Sequence, residues 1–154
     1  MTKFSELTEF MNGLPEAYPP HEALARKIIG LAMKIHRELG CGFVESIYRG
    51  ALAIELKDAQ IDFEIHPILP VFYRSEEIGV FQADVIIQNK LIVELKAVEA
   101  LTVQHSVQLI NYLSAARIDH GLLLNFGTKS LQFKTKNRAH PSEDHPTDPP
   151  HLHS

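Results

Sequence analysis

The chain of 154 residues has no tryptophan and a single cysteine, Cys41. No disulfide can form within it, which points to a reducing compartment. Cys41 lies between Gly40 and Gly42 and reads as a small loop residue rather than a nucleophile. No apolar run approaches the roughly 20 residues needed to span a bilayer. The opening segment carries Glu6, Glu9 and Glu16 and has neither a basic n-region nor an apolar h-region. It does not read as a secretory signal, and the expectation is a cytoplasmic protein with no membrane partner. A strong surplus of positive charge is also missing, because the net charge is −4. That balance argues against a broad nucleic-acid surface. Its distribution softens the argument. Taking Lys3 and the six acids of the two end segments from the totals of 15 basic and 19 acidic residues leaves 14 and 13 between them. Any phosphate-binding surface must therefore be a local patch.

What is present fits one domain with a real core: 45% of residues are apolar and 22% are charged. Residues 1–20, with Pro15, Pro19 and Pro20, read as an arm and linker that holds a short helix over Ser5 to Asn12. Residues 21–138 read as the folded domain. Residues 139–154 are rich in Pro and His and nearly devoid of apolar residues, the composition of a disordered tail. Its histidines read as solvated rather than metal-binding.

Within the domain, Leu24, Ile28, Leu31, Ala32, Ile35 and Leu39 form one helical stripe, closed by Gly40 and Gly42. A second helix spans about Val44 to Gln60, with Ile47, Leu52, Ile54 and Leu56 as its apolar content. Ile61 to Tyr73 is extended and interrupted by Pro67 and Pro70. After a turn at Arg74 to Glu77, strands are expected over Ile78 to Ile87 and Leu91 to Ala97, joined by Gln88-Asn89-Lys90. Thr102 opens a third helix that runs to about Arg117. The almost wholly apolar Gly121 to Phe126 suits a strand buried on both faces. A last strand runs from Leu131 to Lys136. The order α, α, β, β, β, α, β, β suggests an α/β domain with a mixed sheet. The third helix would be a right-handed crossover.

The chemistry concentrates in the hairpin. Ile92, Glu94 and Lys96 alternate onto one face, and Leu91, Val93, Leu95 and Ala97 onto the other. Alternation alone would leave Glu94 and Lys96 facing water on an ordinary half-buried strand. The preceding strand alters the reading, because Asp84 is its only charged residue between Val80 and Ile87. If Gln88-Asn89-Lys90 is a three-residue loop, Ile87 pairs with Leu91 and Asp84 lies opposite Glu94. Opposed like charges about 5 Å apart are destabilising. A cation between them relieves that cost, and Mg²⁺ takes one or two carboxylates plus phosphate oxygens. Lys96 shares the face of Glu94. Two carboxylates and a lysine together suit metal-assisted phosphoryl chemistry.

Asp84, nine residues, and then Glu94-Leu95-Lys96 resembles the D…(D/E)xK signature of the PD-(D/E)XK nuclease superfamily. Gly42-Phe43-Val44-Glu45-Ser46-Ile47-Tyr48 resembles the pattern that names the GxxExxY protein family within it. Further similar runs are His36 to Gly40, Gln108 to Leu113 and Gly121 to Gly127. The resemblance spans about Ala23 to Lys136. It implies a restriction-endonuclease-like αβββαβ core with an extra N-terminal helix. It also implies a metal-dependent nuclease that leaves a 5′-phosphate and a 3′-hydroxyl, with DNA as the expected nucleic-acid partner. By the resemblance, Asp84 and Glu94 would ligate Mg²⁺ or Mn²⁺, with the Leu95 carbonyl as a further candidate ligand. Lys96 would orient water or stabilise phosphoryl charge, and Gln108 would approach the same site.

Other residues carry two readings each. Glu45 would complete the metal shell by resemblance, or favour the helix start as an acid at the positive dipole end. Tyr112 shares a helix face with Gln108 and is either a supporting residue or core. Tyr48 is a supporting residue or packing with its hydroxyl at a polar edge. Lys134, Lys136 and Arg138 alternate onto one face. That row can track phosphates or protect an edge strand. The chain departs from the family pattern at Ala83, where proline is usual, at Gln82, where arginine is common, and at Cys41, where proline is common. The competing functional reading is a non-catalytic module that binds nucleic acid or protein on the same fold. So small a domain covers little duplex, which suggests a homodimer or a partner protein.

Overall fold

The structure is a computed structural model, and it describes residues 20–138. The expected helix over Ser5 to Asn12 and the tail from His140 lie outside the described residues. Helix α1 is Pro20–Leu39 and α2 is Glu45–Asp58. Five strands follow: β1 Phe63–Ile65, β2 Ile68–Tyr73, β3 Glu76–Gln82, β4 Val85–Ile87 and β5 Leu91–Lys96. Then come α3 Val103–Ala116, β6 His120–Asn125 and β7 Gln132–Asn137. A mixed sheet of order β1-β4-β5-β6-β7 forms the middle layer, and β2 and β3 pair separately. The pair β5/β6 is parallel, as the intervening α3 allows. The remaining ladders of the central sheet are antiparallel.

The expected α/β fold with a mixed sheet is therefore present, but the three-strand meander is assembled differently. Its members are β1, β4 and β5, and the β2–β3 ribbon is an outgrowth between the first two. The stretch from Ile78 to Ile87 is not one strand. It breaks at Ala83 and Asp84, where the chain steps from the ribbon into the central sheet. Backbone bonds tie the break on both sides: the His66 N–H donates to the Asp84 carbonyl at 2.9 Å, and the Ala83 N–H donates to the Pro67 carbonyl at 3.2 Å. The matching break between β1 and β2 falls at His66 and Pro67. His66 has φ +52°, in the left-handed region. Pro67, with no N–H to give a ladder, marks the same corner. Pro70 does not interrupt its strand and pairs with Val80.

Two apolar layers cover the sheet. On one face, Leu91, Val93 and Leu95 meet Ile28, Ala32 and Ile35 of α1 and Tyr48, Leu52 and Leu56 of α2. The spacing of four along α2 lines up that stripe. Ile47 and Ile54 point away from it and are exposed. On the other face, Ile92, Ile86 and Leu123 meet Leu109 and Leu113 of α3. Both faces of β5 are covered, so its first five residues are all buried. Among the described residues, no helix is long and apolar enough to cross a membrane.

Candidate active site

The hairpin register is the one a three-residue loop dictates: Ile87 pairs with Leu91 and Val85 with Val93. One step further puts Asp84 across from Glu94. Asp84 has left the ladder, so its backbone and side chain are free for other bonds. Its N–H donates to Glu94 Oε1 at 3.1 Å. Its Oδ2 accepts the Leu95 N–H at 2.8 Å. Its Oδ1 accepts from Arg49 Nη1 at 3.3 Å, and His66 Nε2 stands 4.0 Å from that oxygen.

Glu94 does not face water, because the residue is only 5% exposed. Burial, and then the charge of Asp84, raise its pKa to about 8, while the charge of Lys96 pulls it down. A proton on Glu94 would relieve the repulsion between the two carboxyl groups. Lys96 Nζ donates to Gln108 Oε1 at 3.3 Å. The helix α3 that carries Gln108 begins at Thr102, whose N–H donates to His105 Nδ1 at 3.1 Å. Arg117 closes the helix in the left-handed conformation. One turn beyond Gln108, Tyr112 stacks on Phe81 of the ribbon with ring centroids 4.3 Å apart. Its pKa is raised by burial and by the charges of Glu94 and Asp84, against the lowering effect of its bond to Gln108.

The structure thus brings Asp84, Glu94, Lys96, Gln108 and Tyr112 into one neighbourhood. It does not bring Tyr48 there. That side chain is fully buried against Phe126, with ring centroids 4.4 Å apart. Its hydroxyl donates to the Gly40 carbonyl at 2.6 Å and accepts the Phe43 N–H at 3.3 Å. Tyr48 clasps the α1–α2 loop. Among the described residues, no cluster of three His, Cys, Asp or Glu side chains suited to a metal ion forms. Glu45 therefore does not complete a three-carboxylate cage. It occupies the first turn of α2, where an acid favours the helix dipole. The α2 side chain that reaches the carboxylates is Arg49, one turn later.

Lys134 pairs with Leu123 and Lys136 with Gly121, which in turn pair with Glu94 and Ile92. Opposed residues share a face, so both lysines lie on the Glu94 face, with Lys134 about 10 Å from Glu94 across two strands. Arg138 follows the end of β7 and stands 3.9 Å from Asp119, so its charge is partly engaged.

Sequence reasoning missed Arg49, His66 and Asn125. Asn125 is fully buried. Its Nδ2 donates to the Val98 carbonyl and its Oδ1 accepts the Val98 and Gly127 N–H groups, each at 3.0 Å. It fastens the loop that leaves Lys96. Nothing in its position within an apolar run announced that task. Arg49 carried a signal: it follows Glu45 by four residues, hence on the same helix face. A cavity of about 440 Å³ lies between α1 and β7 and is lined by His21, Arg26, His120, Phe133 and Lys136 among others. None of the clustered site residues lines it.

Comparison with known proteins bears on the family and the fold. A family model described as the PD-(D/E)XK nuclease superfamily matches residues 22–138. The crystal structure of SSO0001 is similar in fold, with a TM-score of 0.50 and 17% identity over 90% of this chain and 77% of that one. No curated protein gives a match.

Proposed function

Because the chain belongs to the PD-(D/E)XK nuclease superfamily, we propose that it is a divalent-metal-dependent nuclease acting on DNA, with Asp84, Glu94 and Lys96 as its reacting centre. The observation that carries this is the close pair of Glu94, buried in β5, and Asp84, half-buried at the break before β4, with Lys96 two residues from Glu94 on the same face. Two oxygen donors and no closed protein cage suit Mg²⁺ or Mn²⁺, which keep water and substrate oxygens in their shell. Thiolate or imidazole sites for zinc look different. Asp84 and Glu94 would hold the ion, and a bound ion supplies charge neutralisation at the phosphate and a more acidic water.

The protein's own groups divide the remaining work. Glu94 must lose its proton to act as a ligand, and Lys96 favours that loss by its charge. With both carboxylates ionised, Lys96 and Arg49 bring the local sum to zero. A divalent ion then leaves a surplus of positive charge for the phosphodiester. Gln108 holds the Lys96 ammonium and so fixes where its charge falls. Lys134 and Lys136 lie on the same face and suit the neighbouring phosphates.

The run from Gly42 to Tyr48 supports placement in the GxxExxY branch, and the single cysteine suits a cytoplasmic location. A compact core of this size fits action as a homodimer or beside a partner protein. The test is cleavage of single- and double-stranded DNA and RNA in Mg²⁺, Mn²⁺ or EDTA, with Lys96→Ala beside wild type. We expect EDTA-sensitive cutting of DNA, slowed about 10²–10³-fold in the variant. Folded wild type that cuts none of these with either metal would favour the alternative, a binding module on the same fold.

A further inference from the structure

Arg49 has no part in the Asp84, Glu94 and Lys96 signature, yet it is the strong cation nearest Asp84. It projects from α2, the helix that opens at Glu45. Its guanidinium meets Asp84 Oδ1 at 3.3 Å, and the two side chains are only 18% and 15% exposed. The other oxygen, Oδ2, is taken by the Leu95 N–H. Both oxygens of a metal-ligand candidate are therefore engaged. An incoming cation must share or displace one of these partners. The Leu95 N–H belongs to a fixed strand, so the exchangeable partner is the arginine. Asp84 and Glu94 also repel each other when both are ionised, and little water screens a buried pair.

We propose that Arg49 is a positioning residue that serves as the counter-ion of Asp84 before metal binds, holding the carboxylate aimed while competing with the metal for Oδ1. This deepens the nuclease reading and rests on it only for the identity of the competitor. Two consequences separate it from a plain structural role. Loss of the guanidinium should cost stability chiefly when no metal is present. Its cost should also vanish when Asp84 is already neutral.

The experiment is thermal unfolding of wild type, Arg49→Met, Arg49→Lys, Asp84→Asn and the Arg49→Met/Asp84→Asn double variant, each in EDTA and in 10 mM Mn²⁺ (a concentration on the order of that needed to saturate an exposed oxygen site). We expect Arg49→Met to lower Tm by about 5 °C in EDTA and to recover at least half of that loss in Mn²⁺. Arg49→Lys should lie closer to wild type. In the Asp84→Asn background, Arg49→Met should change Tm by about 1 °C or less. An equal loss in EDTA and in Mn²⁺, or an equal loss with and without Asp84, would overturn the proposal. If Arg49→Met does not fold, the same cycle run with Arg49→Lys decides, since a retained charge should then leave Tm nearly unmoved in both backgrounds. A wild type whose Tm ignores Mn²⁺, combined with strong Arg49–Asp84 coupling in EDTA, would sink the metal-site reading while the counter-ion survived. Coupling absent in EDTA would sink the counter-ion alone.

Discussion

On the proposed reading the chemistry turns on Glu94, because the same burial that aims it also raises its proton affinity. In the unfolded chain its pKa is that of an ordinary glutamate, near 4.5, and in the folded metal-free protein it is raised to about 8. Between those values the folded state holds a proton that the unfolded state has released. Stability from this group is therefore complete below about pH 4.5 and is lost as pH rises towards 8. The expected outcome in EDTA is a fall in unfolding free energy of roughly 1 kcal/mol per pH unit at its steepest. Urea unfolding at pH 5, 7 and 9 measures it. Glu94→Gln should flatten that dependence, and an unchanged slope in the variant would place the titration elsewhere. The same proton must leave when a divalent ion binds, so apparent Mn²⁺ affinity should rise over this window. Asp84 and Glu94 were legible in the sequence because a three-residue loop fixes which residues oppose each other. The engagement of Asp84 by Arg49 was not, since it depends on how a helix packs over a sheet.

At the scale of elements, the site is held by connections more than by strands. Gly121 to Phe126 announced a buried strand by its apolar run, and β6 is there. Its polar exception, Asn125, is what ties β6 to the loop that follows Lys96. Gly127 completes the clasp. A Cβ there would collide with the backbone of Ala97 and Val98. Asn125→Ala should leave the half-buried Val98 N–H and carbonyl without their side-chain partner, at a cost of about 1–2 kcal/mol. Urea unfolding would show this, and a loss under about 0.5 kcal/mol would mean that water replaces the amide. The β2–β3 ribbon escaped sequence reasoning for a related reason. Val80-Phe81-Gln82-Ala83-Asp84-Val85 reads as one continuous strand. Only the tertiary choice to leave the central sheet breaks it. That break matters to the site, because it frees the Asp84 backbone to bond Glu94.

For the molecule as a whole, the central sheet is covered on both faces. Helices α1 and α2 close one face and α3 the other, Glu94 is buried within β5, and Asp84 sits where the strand pattern breaks. The overall fold was readable from helical stripes and strand alternation. The order of strands was readable only in part, since pairing partners distant in sequence leave no local signal. With a near-neutral body, the proposed phosphate contacts would be few, chiefly through Lys134 and Lys136 on the Glu94 face. Binding should then depend weakly on salt, with a log–log slope of about −2, and assays belong at low ionic strength. Under those conditions the most direct measurement is the single-turnover rate of DNA cleavage in Mg²⁺ by wild type and by Asp84→Asn. The account predicts cleavage that needs the metal and falls by on the order of 10²-fold or more in the variant. Cleavage that persists in EDTA, or that survives Asp84→Asn unchanged, would contradict it.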